Sequence, residues 1–186
     1  MATLQVQRPG LWEVSSRVIV YAAIGAALYG VLGLFSFLLP GTQNVTVRPA
    51  FAIVTFFGYS FGPIVGLFTG LVGNAIIDQL TGYGLLTAWN WSIANGLVGL
   101  IAGVLGAGTL ATLGGSKIVG SAVVAAVAVV IGFLFVVTDI WVFGNSLETV
   151  ITASYVPVVI ADVLAGVILT PILVAAWEPL RESLGR

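Results

Sequence analysis

Residues 73–96 read GNAIIDQLTGYGLLTAWNWSIANG. Asn74, Asp78, Asn90 and Asn95 gather here beside Trp89 and Trp91, in a chain that is otherwise mostly Ala, Val, Leu, Ile and Gly. The spacing around them is regular. Gly62, Gly66, Gly70, Asn74 and Asp78 recur every four residues, which is one slowly drifting stripe on a helix. Downstream, Trp91 and Asn95 are i,i+4 neighbours, and Gly96, Gly99, Gly103 and Gly106 continue as a small-residue seam. Small residues let helices approach closely where lipid removes the hydrophobic drive for association. The stretch therefore predicts two tightly packed helices that meet at a polar, aromatic-rimmed end.

The rest of the chain says what surrounds those helices. It has 186 residues, 59% hydrophobic and 7% charged, with a mean hydropathy of +1.15. A soluble domain carries about a quarter charged residues. So few charges cannot cover a water-facing surface, and apolar runs of about 20 residues recur throughout, so the outer face is lipid. Cysteine and histidine are absent. That leaves no disulfide framework, thiolate nucleophile, imidazole base or Cys/His metal site, and no cofactor is expected. A formal charge of −1 and the lack of a basic run argue against nucleic acid. The first ten residues, MATLQVQRPG, lack an apolar signal core, so the run beginning near Val18 reads as a retained helix.

The expected fold class is an all-α membrane protein, a six-helix bundle forming one integral membrane domain over residues 1–186. The approximate spans are 16–39, 49–59, 63–80, 89–113, 118–143 and 147–177. Pro49 and Pro63 suit helix starts, and Pro157 and Pro171 are expected bend points in the last span. Six spans place both termini on one side, together with Arg8, Arg17, Lys117, Arg181 and Arg186, against Arg48 alone on the other. The positive-inside rule makes the termini cytoplasmic. On that topology Asn44, Arg48, Asn74, Asp78, Trp89, Trp91, Asn95, Asp139 and Trp141 all fall toward the outside.

Two readings compete for these groups. Trp residues form interfacial belts and loop-end Asn or Asp residues cap helices, which accounts for Trp89, Trp177 or Asn145 taken singly. Asn74 and Asp78 are harder to place so, because an ionisable group within a span is costly unless it faces water or a partner. Arg48 is either their partner or a ligand contact. Asp162 lies deep in the last span on the same face as Tyr155, with the Thr170 backbone, a bound water or the ligand as its expected partner.

Several stretches resemble a known family. AAIGAALYG (22–30), QNVTVRPAFAIVTFFGYSFGPIVGLFTGLVGNAIID (43–78) and WNWSIANGLVGLIAG (89–103) are similar to the S components of energy-coupling factor (ECF) vitamin transporters, in the riboflavin-type subfamily. Asn74 stands where the third helix of that family often has His. The resemblance implies a six-helix bundle in a bacterial or archaeal plasma membrane, with a vitamin pocket near the outer face under the first outer loop. Riboflavin is the first expected ligand and a thiamine precursor the second. It also implies partners, a transmembrane coupling subunit and two cytoplasmic ATPase subunits, with Ala22, Ala23, Ala26 and Ala27 as the docking stripe. The spacing of that stripe fits intrachain packing equally well. No GxxxxGK[ST] loop occurs, so ATP hydrolysis would belong to another chain.

The expected ligand contacts are Asn44, Arg48, Asn74, Asp78, Trp89, Trp91, Asn95, Asp139, Trp141 and Asp162, with the Trp residues stacking on a flat ring. A self-sufficient secondary carrier or channel is the alternative, although the inner halves of spans three to five offer hardly a polar side chain. Enzymatic chemistry is not expected, since Asp78, Asp139 and Asp162 lack an accompanying nucleophile, paired-acid motif or metal set.

Overall fold

Ser15 starts the first helix of the computed structural model by accepting the Val18 N–H on its hydroxyl at 3.4 Å. The structure describes residues 10–183, so Arg8 and Arg186 lie outside the described residues. Helix α1 (Ser16–Leu32) stops seven residues short of the expected Leu39, where the Gly33 N–H closes on the Tyr29 carbonyl at 2.8 Å. The chain then forms an antiparallel pair, β1 (Phe37–Leu38) with β2 (Thr46–Val47), in register Phe37↔Val47 and Leu38↔Thr46. The loop between them turns through Gly41 (φ 78°) and Asn44 (φ 58°), both left-handed. Thr42 fixes it, donating to the Leu39 carbonyl at 2.7 Å and accepting the Val45 N–H at 3.1 Å.

After a 3₁₀ turn at Pro49–Phe51, helix α2 (Ala52–Phe61) runs away from the hairpin. Gly62, at φ 102°, reverses the chain, and Pro63 opens helix α3 (Pro63–Leu80). Helix α4 (Trp89–Gly106) runs back down. The expected 89–113 span is bent, because a 3₁₀ segment (Thr109–Gly115) leaves α4 at 56°. Helix α5 (Lys117–Gly132) continues through a 3₁₀ stretch (Phe133–Thr138) into the short α6 (Asp139–Val142). The last segment opens with α7 (Leu147–Thr149) and a π-helical turn (Val150–Tyr155), then continues as α8 (Val156–Ser183). Pro157 lies in the first turn of α8, and Pro171 lies within the helix, which runs on past it.

By length and composition, three helical segments among the described residues can cross a membrane: Pro63–Leu80, Lys117–Val142 and Leu147–Ser183. The bent pair after Trp89 makes a fourth, while Ser16–Leu32 and Pro49–Phe61 are shorter apolar helices. The outward faces are apolar, with Ile19, Val31, Ile131, Ile160, Leu164 and Ile172 exposed. An exterior of that kind fits lipid.

The interior holds together at two places. Between α3 and α4 there is no room for side chains: a Cβ on Gly66 would sit 2.1 Å from the Gly99 carbonyl oxygen, and one on Gly70 2.1 Å from that of Asn95. Across the bundle, Phe51 stacks at a tilt on Phe133 with ring centroids 5.6 Å apart. Val54, Val65, Val98, Ala102, Val124 and Ala128 fill the core around them. The end opposite the hairpin is tied by Glu178, which ion-pairs with Lys117 and, at 3.1 Å, with Arg181.

Candidate functional site

At the hairpin end the bundle encloses a cavity of about 570 Å³. Its walls come from the β1–β2 loop, the turns of α1, α3 and α4 nearest that loop, the segment joining α5 to α6, and α8. Asn74 is the hub of one wall. Its Nδ2 donates to Asp78 Oδ2 at 2.9 Å and to Ser92 Oγ at 3.1 Å, while its Oδ1 accepts from Arg48 Nη1 at 2.7 Å. The i,i+4 spacing on α3 puts the amide and the acid one turn apart on a face that also buries Gly66 and Gly70.

A second wall is built on α4. The Tyr29 hydroxyl donates to Asn95 Oδ1 at 2.8 Å, and Asn95 Nδ2 donates to the Trp91 carbonyl at 2.8 Å. Trp91 is held in turn by Asp139, which accepts from the indole N–H at 3.0 Å and from Asn90 Nδ2 at 2.7 Å. The ring lies near Phe133, centroids 6.2 Å apart. Its orientation is therefore fixed from both its polar and its apolar sides. Asp162, two turns into α8, completes the lining; it is 4% exposed, and its Oδ1 has no hydrogen-bond partner.

Eight of the ten residues expected from sequence line this cavity: Asn44, Arg48, Asn74, Asp78, Trp91, Asn95, Asp139 and Asp162. Trp89 and Trp141 do not. Their side chains point away from the bundle and are 43% and 75% exposed, as interfacial anchors are. Arg48 meets Asn74, and among the described residues no carboxylate comes within ion-pairing distance of it. Tyr155 does not share the cavity with Asp162 but donates to the Val130 carbonyl at 2.9 Å. The Thr170 hydroxyl pairs with that of Thr55, oxygens 2.6 Å apart, and Asp162 Oδ1 has no hydrogen-bond partner, the Thr170 backbone included. The alanine stripe splits, with Ala22 and Ala26 buried and Ala23 and Ala27 exposed.

Sequence reasoning missed Tyr29, Phe133 and Ser92. Tyr29 carried a signal, as the one phenol in the Ala- and Gly-rich run 22–30. Ser92 and Phe133 carried none. Among the described residues no group of acids could hold a metal ion.

An apolar-sheathed helical bundle with a polar, aromatic-walled cavity at one end defines a membrane protein that accommodates a small molecule. The family model described as ECF-type riboflavin transporter, S component, matches residues 13–178, and the chain belongs to that family. A solved S component of a bacterial ECF transporter has the same fold, with a TM-score of 0.58 at 18% identity, covering 91% of this chain and 98% of that one. A UPF0397 protein of Vibrio atlanticus (strain LGP32) is 41% identical over 91 residues. That match covers 48% of either chain, so the chain spans about half the length of the curated relative it matches.

Proposed function

We propose that this chain captures a vitamin or vitamin precursor from outside the cell and delivers it for ATP-driven uptake. The observation that carries the reading is the polar, aromatic-walled cavity of about 570 Å³ at one end of the bundle, within the size range of small-molecule sites. Trp91, held flat by Asp139, is the stacking surface for a planar ring. Asn44, Asn74, Asp78 and Asn95 hydrogen-bond the edges of the ligand, and Arg48 holds the β1–β2 loop over it. Riboflavin is the candidate that the family description supplies; a thiamine precursor is the second.

In this reading the chain crosses a bacterial or archaeal plasma membrane six times, with the hairpin outside and both termini in the cytoplasm. It works with a transmembrane coupling subunit and two ATPase subunits, and the exposed alanines of α1, Ala23 and Ala27, contribute to the docking face. A self-sufficient carrier fits less well. Below Asn95 the buried positions of α4 are Gly96, Val98, Gly99, Ala102 and Gly103, which offer no polar side chain to a permeating solute.

The test has two arms. The purified protein is analysed by absorbance and mass spectrometry for a co-purified heterocycle, and liposomes holding it are assayed for uptake with and without the coupling module and ATP. A bound heterocycle and uptake that needs ATP and the partners support capture. Uptake by this chain alone would establish the carrier instead.

A further inference from the structure

Charge on the cavity wall is unbalanced. Asp78, Asp139 and Asp162 line it against one cation, Arg48. The three acids differ in how their oxygens are used. Asp139 accepts from Asn90 and the Trp91 indole, and Asp78 accepts from Asn74. Arg48 spends its Nη1 donor on the Asn74 carbonyl oxygen, not on an acid. The ion pairs among the described residues lie at the other end of the bundle, on Glu178. Asp162 is left 96% buried by its 4% exposure, facing the cavity, with Oδ1 unpartnered. A buried carboxylate oxygen with no donor is costly in a low-dielectric interior. A donor brought by the ligand removes that cost.

We infer, resting on the capture reading above, that the ligand presents a donor-rich, protonatable edge to Asp162: an amino group beside a ring nitrogen, as in an aminopyrimidine. With the proton of the pair held on its ring nitrogen, such an edge offers two parallel N–H donors to the Asp162 carboxylate, the bidentate arrangement that makes charge-assisted pairs strong. The imide edge of riboflavin offers one N–H between two carbonyl oxygens. Set against the Asp162 carboxylate, its single N–H serves one oxygen and leaves the other facing a carbonyl oxygen. The remaining wall reinforces the choice, because the amide oxygens of Asn74 and Asn95 are already taken by Arg48 and Tyr29. An anionic group at this position would face three acids and only Arg48.

The full-length protein in detergent is titrated calorimetrically with riboflavin and with 4-amino-5-hydroxymethyl-2-methylpyrimidine, an aminopyrimidine precursor of thiamine. The aminopyrimidine is expected to bind at least about 10-fold more tightly than riboflavin. Asp162→Asn should weaken the aminopyrimidine by about 10- to 100-fold and move riboflavin by less than about three-fold. The deamino analogue of the pyrimidine makes the same cut from the ligand side on the unaltered protein, with the same expected loss. The inference is overturned if riboflavin binds more tightly and Asp162→Asn leaves it bound, an outcome in which capture itself stands. It is equally overturned if the aminopyrimidine binds but neither the variant nor the deamino analogue weakens it. No saturable binding of either probe would also overturn the inference, while the co-purified heterocycle and the uptake assay decide the capture reading separately.

Discussion

Arg48 and Asn74 are joined by a 2.7 Å hydrogen bond that spans 26 residues of chain and ties the end of the β1–β2 hairpin to α3. The same amide serves Asp78 and Ser92, so Asn74 satisfies three groups at once. Asn74→Ala strips all three, and a buried polar group left unsatisfied costs about 1–3 kcal/mol. The expected outcome is a lower unfolding temperature in detergent and ligand affinity reduced by about 10-fold. Thermal melts and titration of the variant check both. An unchanged affinity would mean that this wall does not meet the ligand.

Trp91 and Trp141 make a paired test of the stacking surface. Trp91 lines the cavity and is fixed by Asp139, whereas Trp141 is 75% exposed outside it. Trp91→Ala should cost about 10-fold or more in affinity, since it removes the ring and takes the indole donor from Asp139, which keeps only Asn90 of the two. Trp141→Ala should leave binding within a factor of about two, as expected for an anchoring residue at an interface. Equal losses in the two variants would place the ligand elsewhere.

The α3–α4 seam sets a stability prediction that does not involve ligand. A Cβ on Gly66 would come within 2.1 Å of the Gly99 carbonyl oxygen, so the helices must part to admit Gly66→Ala. Overpacking of this kind costs about 1–3 kcal/mol or more. Gly10→Ala, where nothing lies within 4 Å, is the matched control. Size-exclusion profiles and melting temperatures should separate the two variants clearly.

Opposite faces of α1 should report on different events. Ala26 is buried, beside Gly25, whose added Cβ would meet Thr69 Oγ1 at 2.2 Å; Ala27 is exposed. Ala26→Leu is expected to destabilise the bundle by about 1–3 kcal/mol. Ala27→Leu should leave melting and ligand binding unchanged while lowering uptake in liposomes that contain the coupling module. Full uptake by Ala27→Leu would remove this face from the proposed docking surface.

The seam and the polar wall were legible because both follow a four-residue period. Gly66, Gly70, Asn74 and Asp78 all lie buried along one side of α3. Trp89 and Trp91 were not separable by that logic. Two residues apart on a helix they face nearly opposite ways, and local density of tryptophan does not say which one turns inward. The hairpin was hidden for another reason. Phe35, Phe37, Leu38 and Leu39 extend the apolar run of α1 with Ser36 alone between them, and two-residue strands are too short to show alternation. Tyr29 meets Asn95 across 66 residues, a pairing that no local pattern encodes.

The π-helical turn at Val150–Tyr155 has a consequence for timing. The Ala153 carbonyl lies in that turn, Pro157 four residues on has no N–H to give it, and the Gln43 N–H reaches it at 2.9 Å. One main-chain bond thus clasps the tip of the β1–β2 loop to the opposite side of the cavity mouth. A molecule beneath that clasp leaves only after the bond breaks, whereas the encounter that brings it in depends on the open fraction. Affinity in such an arrangement resides in a long dwell time rather than in fast arrival, which fits the proposed capture, where cargo waits on separate ATPase subunits.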